Sequence, residues 1–329
     1  MATDELAAAE LWVTLAPLPE PLADVQATSA NGKLYVFGGL DGAKSKGAVL
    51  EFDPATGTWT KKKPMPVPAH HLALTSYGDR VYLFGGFKYP EKGAGWQALD
   101  NAWEYDPAGD NWKALKAMPT KRGGAAAAAL NGKFYVIGGA APAKGSTPET
   151  IEAKRRHDIL AQVEEYDLKT DSWRVRAPLP TPRAEPVAAT VTGKIYVIGG
   201  RLGSLFGNGS DTDIVEAYDP ASDSWSAPLE RMPTPRAACG FALWRNLIVL
   251  AGSDTKEIRA TAAVQAIEAY DPATNKWKAL PSITQARRGY AVGAIGDRFY
   301  LAGGETLAPA AGQKPELTLL QALQLDAVK

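Results

Sequence analysis

The 329-residue chain contains three histidines, His70, His71 and His157, and two of them are adjacent. An imidazole beside a carboxylate is the usual set for proton transfer near neutral pH. Counting back from the tight turns described below, one repeated place is held by Asp24, His71, Gly124, Glu185, Ala238 and Gly289. The place before it is held by Ala23, His70, Gly123, Ala184, Ala237 and Arg288. Ala, Gly and Thr fill most of the neighbouring positions, so Asp24, His70, His71, Glu185 and Arg288 are polar exceptions. Glu185 with His71 reads as an acid–base pair, and the chain bends away from regular pairing at Pro186, which lacks an N–H. Arg288 offers a guanidinium suited to a carboxylate or other anion. Trp96 and His157, on longer connecting segments, are expected to reach the same place. Together these residues fit a polar ligand pocket, with Glu185, His71 and Arg288 as its reactive groups, or a channel whose polar groups are simply solvated by water. No metal or cofactor is expected.

A unit repeated six times must position them. A strand ending in Gly-Gly, or in Ala-Gly in the fifth unit, returns at Leu34 to Gly39, Val81 to Gly86, Phe134 to Gly139, Ile195 to Gly200, Leu247 to Gly252 and Phe299 to Gly304, with spacings of 47, 53, 61, 52 and 52 residues. A small-residue strand precedes each, joined through turns such as Asn31-Gly32, Gly78-Asp79, Asn131-Gly132 and Gly296-Asp297. After a variable loop comes a third strand ending in Phe52-Asp53, Tyr105-Asp106, Tyr166-Asp167, Tyr218-Asp219 or Tyr270-Asp271, then a fourth carrying Trp59, Trp112, Trp173, Trp225 or Trp277. The sixth unit lacks this last strand, and Leu11-Trp12-Val13 at the other end of the chain supplies the same pattern. Strand direction puts the loops after Gly-Gly and the entrances to the first strands on one face. Those loops differ in every unit, which marks that face as the working one.

These residues closely resemble the kelch repeat, with its Gly-Gly, its Tyr-Asp-Pro and its spaced Trp, over nearly the whole chain. The resemblance implies an all-β fold: a six-bladed β-propeller of four-stranded antiparallel blades, closed by an N-terminal strand joining the C-terminal blade. A single propeller domain over residues 1–329 is expected, with residues 1–10 flexible. The insertion 140–161 is expected to be helical, since Thr147-Pro148-Glu149 has the order of a cap, a first-turn proline and a first-turn acid. Kelch propellers are most often binding scaffolds, so the implied function is a polar pocket at the channel mouth for a small anionic or sugar-like ligand, or a protein or peptide partner on the variable-loop face. The alternative is an isomerase, mutarotase or lyase using Glu/His acid–base chemistry: the bacterial sialic acid mutarotase is similar in blade number and in placing a Glu and an Arg at the mouth, as Glu185 and Arg288 are. The iron-linked pattern of plant nitrile-specifier proteins keeps its spacing at Glu149, Ala153 and His157 but loses the middle acid. Galactose oxidase needs a Tyr-Cys crosslink with His ligands, and Cys239 lacks them.

The 36 basic and 36 acidic residues balance, which leaves no broad electrostatic footprint for nucleic acid or an anionic membrane. No apolar run approaches the roughly 20 residues that span a bilayer. The single cysteine, Cys239, excludes an internal disulfide and leaves the compartment open. Met1 to Glu10 is acidic and Ala-rich, unlike a signal peptide, so either the cytoplasm or, after signal removal, the periplasm is compatible. A monomer is expected.

Overall fold

A computed structural model describes residues 11–42, 44–91, 94–147, 149–206, 209–252, 265–306 and 316–327. These form six antiparallel blade sheets of four main strands each, the first extended by Lys44–Ser45 against the end of Lys33–Asp41. Five follow chain order: blade one is Ala23–Ala30, Lys33–Asp41, Val49–Asp53 and Thr58–Lys61; blade two, Ala73–Tyr77, Arg80–Phe84, Ala102–Asp106 and Asn111–Leu115; blade three, Ala126–Leu130, Lys133–Ile137, Val163–Asp167 and Ser172–Val175; blade four, Val187–Val191, Lys194–Ile198, Val215–Asp219 and Ser224–Trp225; blade five, Gly240–Trp244, Leu247–Ala251, Ile267–Asp271 and Lys276–Leu280. Blade six takes Ala291–Ile295, Arg298–Ala302 and Leu320–Gln324, and its outer strand is Trp12–Thr14, paired antiparallel as Trp12 with Leu323 and Thr14 with Gln321. The first strands of successive blades neighbour one another around the full circle, blade six against blade one. The molecule is a closed six-bladed propeller, as the ends of the sequence imply.

The second strand of each blade is buried on both sides, so it reads as an unbroken apolar run such as Phe134-Tyr135-Val136-Ile137. The repeated motif residues tie one blade to the next. Each blade's Trp indole donates to a carbonyl in the linker that enters that blade: Trp59 to Ala16, Trp112 to Lys63, Trp173 to Lys116, Trp225 to Ala177, Trp277 to Glu230 and Trp12 to Ser282. The Tyr hydroxyl of the third strand donates to a turn residue five places on, Tyr166 to Asp171 at 2.6 Å, and that carboxylate also accepts from the linker amide of Lys116. Blade five repeats the arrangement with Tyr270, Asn275 and Glu230. The Gly-Gly pair explains itself at Gly138 and Gly139, both with positive φ: Gly139 donates to the carbonyl of Arg183 in the next blade, and a Cβ on Gly138 would lie 2.4 Å from that same oxygen.

Segment 140–161 departs from the helical expectation. Its described residues hold the short strands Ala140–Pro142, Thr150–Ile151 and His157–Ile159. Ala140–Pro142 pairs with His157–Ile159, and Thr150–Ile151 pairs with Trp96–Ala98 from blade two. The cap-like residues are outvoted by extended partners on both sides, a tertiary choice that local propensity does not record. Residues 1–10, expected to be flexible, lie outside the described residues. Among the described residues no helix is long and apolar enough to cross a membrane.

Candidate functional site at the channel mouth

Where each blade's first strand begins, the chain makes one left-handed step. Asp24, His71, Gly124, Glu185, Ala238 and Gly289 have φ of 50°, 51°, 61°, 55°, 52° and 61°. Their backbones are linked from blade to blade: Gly124 N–H donates to His71 O (2.9 Å), Glu185 N–H to Gly124 O (2.6 Å), Ala238 N–H to Glu185 O (3.1 Å), and Val25 N–H to Gly289 O (3.3 Å). The left-handed conformation costs a residue with a Cβ of order 1 kcal/mol. Two of the six are glycine, and the other four hold the same conformation beside these blade-to-blade bonds.

His71 and Glu185, two blades apart, meet there. His71 Nε2 lies 3.2 Å from Glu185 Oε1, and Arg201 Nη1 lies 3.5 Å from Glu185 Oε2. Arg201 is itself held by Asp211 (2.9 Å) and by the carbonyl of Leu205 (3.1 Å). Glu185 and His71 are only 7% and 9% exposed, so the carboxylate is a buried charge compensated from two sides. Behind them His70, fully buried, brings its Nδ1 to 2.6 Å from His71 Nδ1. One proton must lie between those nitrogens. With His71 donating from Nε2 to Glu185, the neutral assignment has His70 Nδ1–H donating to His71 and leaves His70 Nε2 a lone pair, an atom without a hydrogen-bond partner. Burial, then the neighbouring His71, pushes the His70 pKa down to about 2. Trp96 packs edge-on against His70 and tilted against His71, with ring centres 4.9 and 5.1 Å away, and tilted against Phe206 at 5.2 Å. Tyr89 stands 5.7 Å from His70.

The mouth is narrow. The cavity between Asp24, His71, Cys239, Gly289 and Tyr290 has a volume of about 60 Å³, room for a few water molecules. A larger space of about 410 Å³ lies further along the channel toward the tight turns, lined by Ala27, Thr28, Ser76, Ala128 and Ala189 among others. Cys239 borders the small cavity, and burial raises its thiol pKa to about 11, so it is a poor nucleophile.

Residues 8–175 and 153–304 match the family model described as the KLHDC2/KLHL20/DRC7 Kelch-repeats domain. The chain belongs to the kelch-repeat family. Kelch-like protein terF of Aspergillus terreus is 30% identical over 184 residues, covering 55% of this chain and 38% of that protein. Kelch-like protein 35 of Mus musculus is 28% identical over 189 residues, covering 57% and 28%. The chain therefore spans well under half the length of these curated relatives. A solved structure titled "Structure of YjhT" superposes with a TM-score of 0.71 over 93% of this chain and 95% of that one at 19% identity, a likeness of fold alone.

Within the kelch framework, two expected members stand apart from the His71–Glu185 centre. Arg288 pairs with Glu305, directly opposite it in the short ladder Arg287–Arg288 and Glu305–Thr306. The guanidinium beside Glu185 is instead Arg201, which has the same register to Ala184 that Glu305 has to Arg288. Arg201 follows Gly199-Gly200 directly and is the one cation at that place in the six units, a signal that the first-strand alignment does not contain. His157 accepts the Leu205 N–H at Nε2 (2.9 Å) and packs on Phe206; it pins the loop of blade four to that of blade three. Asp24 lines the small cavity from blade one, its Oδ1 against Gly289. The repeated arginines Arg122, Arg183, Arg236 and Arg287 are fully buried and donate to backbone carbonyls, among them Val136, Val197, Ala266 and Leu301.

Proposed function

We propose that this kelch propeller is a binding scaffold that receives a protein or peptide on its variable-loop face, over blades two to four. The observation that carries the reading is the joining of those loops into one platform. Phe87–Lys88, Trp96–Ala98 and Thr150–Ile151 form a three-stranded sheet across two blades, and His157 fastens the loop of blade four. Trp96, Tyr89 and Phe206 lie half-buried on this platform, offering aromatic area held in place before binding, which lowers the entropic cost of association. His71, Glu185 and Arg201 form a buried polar cluster beside it, with His71 and Arg201 facing the two Glu185 oxygens. A cavity of about 60 Å³ is small for a sugar, which weighs against the carbohydrate-like ligand expected from the resemblance. The His71–Glu185 distance of 3.2 Å keeps a small-ligand, acid–base reading as the second hypothesis.

Pull-down from a lysate of the source organism, comparing wild type with the double variant Trp96→Ala and Phe206→Ala, tests the first reading: the specific partner is retained by wild type and lost by the variant. A thermal-shift screen of sugar acids, carboxylates and divalent metals on wild type and Glu185→Ala tests the second. A compound that stabilises only the wild type would replace the partner reading with the pocket reading.

A further inference from the structure

The wide part of the channel is built differently from its mouth. It measures about 410 Å³, within the size range of small-molecule pockets. Ala27, Leu74, Phe241 and Val292 line both this space and the cavity of about 60 Å³ at the mouth, so the two are stacked along the axis and the His71–Glu185 end is the narrow one. Leu243, which lines the wide part close to a tight turn, is 45% exposed; solvent therefore reaches the space from the tight-turn face. The first strands that enclose it are described from end to end, and among the described residues no charged side chain lines it. Blades one, two and four present hydroxyls, those of Thr28, Thr75, Ser76 and Thr190. Thr28 Oγ1 donates to Ser76 Oγ across two blades at 3.2 Å, whereas Thr190 Oγ1 is buried without a hydrogen-bond partner. Blades five and six present Phe241, Leu243 and Val292 instead. Each first strand is also the terminal strand of its sheet, so alternate backbone N–H and C=O groups on its free edge face the axis. The lining is thus two-sided: hydroxyls on one arc, an apolar wall on the other, and strand edges between.

We propose that this space binds a neutral ring bearing several hydroxyls, a monosaccharide or a cyclitol, which enters from the tight-turn face. Its hydroxyls both donate and accept, as do those of Thr28, Thr75, Ser76 and Thr190, and one C–H face of the ring lies on Phe241, Leu243 and Val292. Thr190 Oγ1 gains the partner it lacks within the protein. A charged sugar would be taken out of water with no opposite charge in the lining to receive it. The site lies at the other end of the channel from the variable loops and is independent of the protein partner proposed there.

The test is titration of the whole chain, by calorimetry and ligand-observed NMR, with two matched pairs: inositol against cyclohexanol, which differ in hydroxyls, and glucose against glucuronate, which differ in charge. Inositol, glucose or both should bind saturably at millimolar concentration or below, and cyclohexanol and glucuronate at least about tenfold more weakly. Thr190→Val keeps the shape of the side chain and removes its hydroxyl, and should weaken binding about five- to tenfold. Ser76→Leu fills the channel and should abolish binding. Should that variant fail to melt cooperatively, Ser29→Leu, on the same lining, takes its place. Absence of binding by both inositol and glucose would overturn the proposal. So would equal binding of cyclohexanol or glucuronate, or an affinity that neither the Thr190 nor the channel-filling variant changes.

Discussion

The contact between His70 and His71 holds a single proton, and this gives the site a defined acid response. His70 is neutral in the fold, with its pKa depressed to about 2, against about 6.5 in the unfolded chain. Its contribution to stability is therefore complete above pH 6.5 and is lost as pH falls from 6.5 toward 2, by at most about 1.4 kcal/mol per pH unit. Urea unfolding at pH 7 and pH 5 should show a smaller acid loss for His70→Gln than for wild type; equal losses would place the proton elsewhere. Buried charge compensation is the second effect at this scale. Glu164→Gln removes the charge that faces the fully buried Arg122, and a loss of about 3–5 kcal/mol is expected in denaturant titrations.

At the scale of the element, the turn after the third strand is a fastener whose chemistry can be separated from its shape. Asp171 holds a left-handed φ of 47° while it binds the Tyr166 hydroxyl and the Lys116 amide. Blade five does the same with Asn275. Asp171→Asn should consequently cost less than about 1 kcal/mol and Asp171→Ala about 2 kcal/mol, measured by chemical denaturation. Elements of this kind were legible in the sequence because the Gly-Gly, Tyr-Asp and Trp positions recur in the same order in successive units and each recurrence does the same job. The first-strand alignment likewise brought His71 and Glu185 to one place, since both occupy the left-handed step. Arg201 was not legible from that alignment, because it reaches Glu185 from the strand after Gly-Gly. The strands within 140–161 were hidden for a related reason: their partners come from another blade's loop and from the far end of the same insertion.

For the whole molecule, closure is the decisive event. Trp12 is 8% exposed, donates its indole N–H to Ser282 and lies in the strand paired with Leu320–Gln324. Trp12→Ala should destabilise the propeller by about 3–5 kcal/mol, and a chain starting at Leu15 should lose more, exposing a sheet edge that promotes association. Calorimetry with light scattering would read both, and a truncated chain that melts like wild type would show that the ring does not need its clasp. The same pairing also bears on how the molecule is made. On the ribosome, Trp12–Thr14 emerges ahead of every other described strand of the propeller and its partner Leu320–Gln324 behind them all. Five blades can be assembled while the seam stands open, so Trp12–Thr14 stays unpaired for most of the propeller's synthesis. The propeller's period of greatest exposure to aggregation and to chaperones thus ends only when Leu320–Gln324 has cleared the ribosome.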